Sequence, residues 1–264
     1  MFNSWITSHL DLIKFVPYFL SVGVIFFFVI GWRYGKFVIR NAKGPIISHS
    51  IVSAIFGLSA LVLGFTFSNA ANHFGDRISN IRSQAASLEQ VYISTAYLNA
   101  HDRAEVQSSL RELLKLRLQE FQSARTMEDL DANLQLVITQ LQKVNEQITL
   151  AILRAPSNTK ELADKILRPQ IANLVDVINV GILNAKNHPP SIVQQFLFAL
   201  LCVGALLSGY AMAIEKEEDL LLTGIYLALT GYALFIIFSL EFPNQLFNYD
   251  AVNSDLLRLQ SVMQ

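Results

Sequence analysis

The chain has 264 residues, of which 52% are hydrophobic and only 16% are charged, and its formal net charge is −1 at pH 7. A composition this apolar is typical of membrane proteins and argues against an ordinary soluble domain. The near-zero net charge argues against a nucleic-acid partner. A single cysteine, Cys202, excludes an internal disulfide.

Four apolar runs are each long enough to cross a bilayer, which takes about 20 apolar residues. They cover 15–32 (extending to 39 if Arg33 and Lys36 snorkel), 46–71, 192–214 and 220–240. An even number of spans places both termini and the central region on the same side of the membrane. The expected organisation is an N-terminal tail with two transmembrane helices (1–71), a helical soluble region (72–190), two further transmembrane helices (191–240) and a C-terminal tail (241–264).

The central region shows helical patterns throughout. Leucines over 110–118 lie close to helical spacing, and Thr126 followed by Asp129 predicts a helix that begins with a capping box. Pro169 predicts a kink or a break in the last central helix. Strand-type alternation is missing, so the expected fold class is all-α, with four transmembrane helices and a helical soluble region between the second and third spans.

One central helix carries an apolar stripe whose packing partner the sequence leaves open. The stripe could be buried within its own subunit or against a neighbouring subunit. It consists of Leu134, Val137, Ile138, Leu141, Val144 and Ile148.

Basic residues near the span ends do not decide the topology, because five lie on each side of the membrane. Taken alone, the loop between the first two spans would place the central region outside the cytoplasm. One side has Arg33, Lys36, Arg40, Lys43 and Lys216, and the other has Lys14, Arg77, Arg82, Lys186 and Arg258.

Signatures of catalysis are missing from the sequence. The five histidines lack metal-ligand spacing, and glycine-rich phosphate loops and nucleophile elbows are absent. We therefore expect neither an enzyme nor a bound cofactor or metal. Glu241, Asp250 and Asp255 form a weak candidate for a cation site, but a solvated tail explains them more simply because their spacing matches no recognised calcium loop.

The second apolar run, GLSALVLGFTFSNAANHFGDR over 57–77, turns polar without a proline or a turn signal. This pattern predicts a helix that continues out of the membrane. Gly57, Leu61 and Phe65 are four residues apart and therefore share one row of that helix. Small residues on adjacent rows permit another reading, in which the helix simply packs closely against other spans.

The stretch from 57 to 98 resembles the bestrophin-like family of bacterial membrane proteins, long catalogued as a domain of unknown function. The resemblance rests on LGFTFS (63–68), the alanine pair 70–71, Phe74, Arg77, Ala85 and Tyr92, and later on Glu241 and Pro243. The sequence departs from the family pattern at three positions, where His73 and Ile78 replace arginines and Gln84 replaces a glutamate.

A fainter similarity, through the LGF motif, extends to the bestrophin ion channels. It implies a homopentamer in which the second span lines the pore and the central region and termini are cytoplasmic. Phe65 would then be the innermost residue of an apolar neck, with Leu61 and Gly57 successively further out. Polar groups of a wider vestibule would come from Ser68, Asn69, Asn72 and His73.

The same resemblance implies the lipid bilayer, further copies of the chain and small monovalent ions as partners, and the bacterial inner membrane as location. Ion selectivity stays open, because residues 72–190 contain equal numbers of basic and acidic residues. We expect a slight preference for anions. The alternative function is a non-conducting, membrane-anchored helical sensor or scaffold protein, in which the small residues of the second span form a helix interface.

Overall fold

The computed structural model describes residues 10–41, 48–119, 122, 124, 126–186, 191–215, 219–246 and 249–263. Its regular elements are all helices, which confirms the all-α class. Short 3₁₀ segments, Leu10–Phe15 and Thr95–Tyr97, precede α1 and follow α2. The helices are α1 (Val16–Asn41), α2 (His49–Ser94), α3 (Ala100–Gln119), α4 (Met127–Leu153), α5 (Lys160–Lys186), α6 (Ser191–Glu215), α7 (Leu220–Glu241), α8 (Pro243–Leu246), α9 (Tyr249–Val252) and α10 (Ser254–Val262).

The helices form two compact units, and α2 contributes to both. The span unit, Leu12–His73 with Pro189–Phe242, contains α1, the first half of α2, α6 and α7. The bundle unit contains the second half of α2, α3, α4, α5 and the three short C-terminal helices, and its main segment is Phe74–His188.

Five helical segments of the described chain are long and apolar enough to cross a membrane. Four of them coincide with the predicted runs, although the first two residues of the second run lie outside the described residues. The fifth, Lys160–Asn184, belongs to α5 and has the lowest mean hydropathy, 1.3 against 2.0–2.2 for the others. Its apolar side is buried in the core of the bundle unit, which explains its composition; the buried residues are Leu167, Ile171, Leu174 and Ile178.

A close crossing of α1 and α6 organises the span unit. A Cβ atom on Gly31 would overlap the carbonyl oxygen of Leu206, and one on Gly209 would overlap that of Phe28. Small residues let helix backbones approach where hydrocarbon is the solvent and no hydrophobic driving force exists between helices. Hydroxyl groups in the spans are satisfied locally, as where Ser239 donates to the carbonyl of Phe235 at 2.7 Å.

The bundle unit buries the apolar stripe of α4 within a single subunit. Leu134, Val137, Leu141, Val144 and Ile148 are each at most 2% exposed, and four of the five belong to one core shared with α2, α3, α5 and α10. Of the two alternatives that the sequence left open, the structure therefore shows packing within the subunit rather than against a neighbouring subunit. The stripe's remaining member, Ile138, is half-buried.

Two local sequence signals in the bundle unit have different outcomes. The capping box is present, since the Asp129 N–H donates to the Thr126 hydroxyl and the Thr126 N–H donates to the Asp129 carboxylate, each at 3.0 Å. Of the kink or break predicted at Pro169, the break is wrong, because α5 continues through it. Pro169 and Lys165 are both on the exposed side of α5, so water can satisfy the carbonyl of Lys165 that loses its intrahelical donor.

One end of the bundle unit contains an ion pair between a buried aspartate and a half-exposed arginine. Asp102 is 2% exposed and accepts from the Arg154 guanidinium at 2.7 and 3.1 Å. It also accepts from the side-chain amide of Asn99 at 2.6 Å. The hydrogen bond from Arg154 is the main reason why the pKa of Asp102 lies below its ordinary value, and burial opposes this shift.

We expect Gly31→Ala to destabilise the span unit by about 1–3 kcal/mol, the usual cost of overpacking. The added methyl group would meet the backbone of α6 rather than a flexible side chain. Thermal unfolding in detergent measures the effect. Gly224→Ala is the matched control, because nothing lies within 4 Å of its Cβ position. Equal unfolding midpoints for the two variants would contradict the close crossing.

The depressed pKa of Asp102 predicts a loss of stability in acid. In the unfolded chain an aspartate has a pKa of about 3.9, so the folded protein binds this proton less readily. The stabilisation is fully present above that value and is lost as the pH falls through the folded pKa. As the pH is lowered below ~5, the unfolding midpoint of the wild type should therefore fall more steeply than that of Asp102→Asn. The exposed Asp176→Asn should keep the wild-type slope, and an unchanged slope for Asp102→Asn would exclude the pair as the cause.

Candidate functional site

Helix α2 runs without interruption for 46 residues, a length of about 70 Å at 1.5 Å per residue. The hydrocarbon core of a bilayer is only about 30 Å thick. The helix passes through Asp76 and Arg77 without a turn. The predicted continuation of this helix beyond its apolar part is therefore confirmed.

One face of the apolar half of α2 packs within the span unit. Ser59 and Ala70 are 6% and 3% exposed, and Val62 and Thr66 are half-buried. Successive residues of an α-helix are 100° apart, so these four residues fall within one sector about 80° wide. Both hydroxyl groups on this face donate to the helix's own backbone, Ser59 to Ile55 and Thr66 to Val62, each at 2.8 Å.

The row Gly57, Leu61 and Phe65 lies on the opposite side of α2. Leu61 is 56% exposed and Phe65 is 68% exposed. Nothing lies within 4 Å of the position that a Cβ on Gly57 would occupy. The row is therefore largely uncovered within its own subunit.

The four predicted vestibule residues do not share one environment. Ser68 and Asn72 are exposed and continue the row of Leu61, since they lie within about 20° of it around the helix. Asn69 is exposed but lines a cleft between spans. His73 is half-buried on the packed side of the helix.

The cleft lies within the span unit, between α2, α6 and α7, and has a volume of about 360 Å³. Phe65, a member of the exposed row, also forms part of the wall of this cleft. The apolar lining consists of Val62, Phe65, Ala70, Val193, Phe196 and Ile237, and the polar lining of Thr66, Asn69, Gln194 and Glu241.

The acidic residues considered as a cation site are not assembled into one. Within the described ranges, no three His, Cys, Asp or Glu side chains come close enough together to hold a metal ion. Asp255 instead accepts from Arg82 on α2 at 3.3 Å. Glu241 is the last residue of α7 and is 2% exposed, whereas Asp250 is exposed on α9.

In the bundle unit, α2 again has a buried and an exposed side. Its buried side contributes Ile81, Ala85, Leu88 and Val91 to the core. From 79 to 93, the exposed residues include one charged side chain, Arg82, together with Ser79, Ser83, Ala86, Gln90 and Ile93. Ile93, near the end of the helix, is 63% exposed.

A buried polar network, which the sequence did not reveal, holds α2 in the bundle unit. Gln84 is 2% exposed, and its side-chain oxygen accepts from Arg117 Nε on α3 at 2.7 Å. Its amide nitrogen donates to Asn80 at 2.5 Å and to the carbonyl of Val177 on α5 at 3.3 Å. Burial lowers the pKa of Arg117 to about 10, so the guanidinium keeps its charge at neutral pH. The sequence showed Gln84 only as a departure from a family pattern.

Comparison with solved structures identifies this arrangement of helices. Two crystal structures of a bacterial bestrophin homologue from Klebsiella pneumoniae, each with a different single mutation, superpose on the chain with TM-scores of 0.65 and 0.67. Both cover 93% of this chain, which in turn covers 99% and 97% of theirs, at 14% sequence identity. The chain has the bestrophin fold. No family model matches the sequence, and no curated protein matches it.

The match confirms the bestrophin-like fold that the resemblance through the LGF motif implied. With several helices apolar enough to span a bilayer, it makes the chain a multi-pass membrane protein. The match over nearly the full length of both chains means that the bundle unit as well as the span unit belongs to the fold.

Proposed function

We propose that this chain is the subunit of a bestrophin-like ion channel, a homopentamer whose pore is lined by α2. The observation that carries the proposal is the exposed row on α2. Leu61 and Phe65 leave more than half of their surface exposed, on a helix that packs within its own subunit over a sector about 80° wide. In a symmetric ring of subunits, the same row from each copy would face the central axis.

An apolar constriction would make such a pore a gate as well as a conduit. Rings of Leu61 and Phe65 offer water no hydrogen bonds, so water leaves the constriction readily and ions face a desolvation barrier. Gly57 would leave the outermost level of the neck wide. Beyond the neck, Ser68 and Asn72 would supply polar groups where the conduit widens, and the exposed side of α2 in the bundle unit would extend it.

The transported species would be small monovalent ions. The exposed row from Gly57 to Asn72 contains no charged side chain, so the neck itself favours neither anions nor cations strongly. The slight preference for anions stays as it was expected from the sequence. The protein would reside in the bacterial inner membrane with the bundle unit and both termini in the cytoplasm. It would act without catalysis and without a cofactor.

The non-conducting sensor or scaffold is distinguished from the channel by its assembly. A pore lined by one helix per subunit requires a closed ring, so the channel predicts a pentamer in mild detergent. Light scattering coupled to size exclusion, corrected for bound detergent, measures the protein mass of the complex. A monomer or dimer would support the scaffold, because the exposed row of α2 would then be a simple helix interface.

Truncating the neck should open the channel. Phe65→Ala or Leu61→Ala removes a ring of side chains from every subunit at once, and neighbouring residues cannot rebuild the lost wall. We expect a several-fold higher ion flux in liposomes that contain either variant than in liposomes with the wild type. Because both side chains are largely exposed in the subunit, the substitutions should cost little folding stability.

Phe67→Ala is the internal control for this experiment. Phe67 is 44% exposed but lies about 200° from Phe65 around α2, towards lipid or another span. Its truncation should leave the flux at the wild-type level. Equal flux from the Phe65 and Phe67 variants at matched protein levels would refute the assignment of the neck.

A further inference from the structure

One side of α1 is exposed and changes along its length from apolar to basic. Phe19, Val22 and Phe26 are 66%, 62% and 60% exposed, and Arg33 and Arg40 further along the helix are exposed as well. Successive residues of an α-helix are 100° apart, so these five residues fall within one sector about 60° wide. We call them the outer row of α1. The crossing with α6 lies on the opposite side of the helix.

The change from apolar to basic falls at the boundary of the hydrocarbon. Helix α1 reaches Arg33 after about 26 Å, close to the hydrocarbon thickness of about 30 Å. Trp32 and Tyr34, the neighbours of Arg33, are of the two residue types that concentrate at membrane interfaces. Val22 and Phe26 precede Arg33 by about 16 and 10 Å along the helix, which is the hydrocarbon depth of one leaflet. The outer row therefore offers apolar contacts within one leaflet and cations at its head-group level.

The two arginines of the outer row are available to an anion from outside the subunit. Among the ion pairs of the described residues, none involves Arg33 or Arg40. The acidic side chains described at the same end of the span unit are engaged elsewhere. Glu215 lies 3.6 Å from His49, and Asp219 accepts from two backbone N–H groups at the start of α7, at 3.1 and 3.0 Å.

We propose that the outer row of α1 binds an anionic membrane phospholipid, with its phosphate at Arg33 and Arg40 and one acyl chain along Val22 and Phe26. A guanidinium presents its N–H donors in a planar fork that matches phosphate oxygens. A zwitterionic lipid brings an ammonium that repels the arginines, so a lipid with net negative charge binds better. A second copy of the chain on this row would bury two unpaired guanidinium groups, which is costly. The inference concerns binding alone and holds whether or not the protein conducts ions.

Native mass spectrometry of the detergent-solubilised protein tests the choice of lipid. Phosphatidylglycerol, phosphatidylethanolamine and phosphatidylcholine with identical acyl chains are added in equal amounts. All three carry a phosphate, but only phosphatidylglycerol has a net negative charge. The wild type should retain phosphatidylglycerol several-fold more than either of the others, and soluble glycerol phosphate, which has no acyl chains, should not displace it. Equal retention of the three lipids, or displacement by glycerol phosphate, would overturn the proposal.

Paired substitutions locate the binding site. The double variant Arg33→Gln/Arg40→Gln should lower the retention of phosphatidylglycerol to that of phosphatidylethanolamine. Arg103→Gln/Lys143→Gln removes the same charge from two exposed residues of the bundle unit, and it should keep the wild-type preference. Arg33→Lys/Arg40→Lys keeps the positive charge and should also keep the preference. If the first two variants retain phosphatidylglycerol equally, or if the lysine variant loses the preference, the outer row is not the site.

Discussion

The structure depends on one helix, α2, that packs on one side only. An α-helix satisfies its backbone hydrogen bonds internally, so it can pass from hydrocarbon into water without a change of conformation. That property lets α2 serve both units of the chain over 46 residues. In each unit the packed side is fixed by the surrounding helices, and in each unit a second side is left uncovered. On the uncovered side, several copies of the chain can together form a surface that a single copy cannot form.

The two units are stabilised by different means because their surroundings differ. In the span unit, where lipid removes most of the hydrophobic driving force, backbone approach at Gly31 and Gly209 brings α1 and α6 together. In the bundle unit an apolar core is supplemented by the network of Gln84, Asn80 and Arg117. A buried network whose donors and acceptors match specifies one register of α2 against α3 and α5, since a shifted helix would leave these groups unsatisfied.

Local and periodic features were predictable from the sequence. The length of the apolar runs gave the spans, the Thr126–Asp129 pair gave a helix start, and the missing turn signal after Gly75 gave the continuous helix. Features set by packing between distant segments were not predictable. Pro169 does not break α5, because its effect depends on which side of the helix it occupies. The partner of the α4 stripe and the crossing at Gly31 depend on helices that are far away in sequence. Of the candidate site, the exposed row of α2 follows from helical spacing, whereas the cleft beside Phe65 required the positions of α6 and α7.

The central claim is that the uncovered side of α2 lines an aqueous path, and thiol accessibility along this helix tests it most directly. Single cysteines are placed at Leu61, Phe65, Ser68 and Asn72 and, for comparison, at the buried Ser59 and Ala70. The background is Cys202→Ala, which removes the buried native thiol. A water-soluble thiol reagent is then applied to liposomes during a flux measurement. The account predicts that modification changes the flux at the first four positions and leaves it unchanged at the last two. A change of flux confined to the packed side, or at none of the six positions, would contradict it.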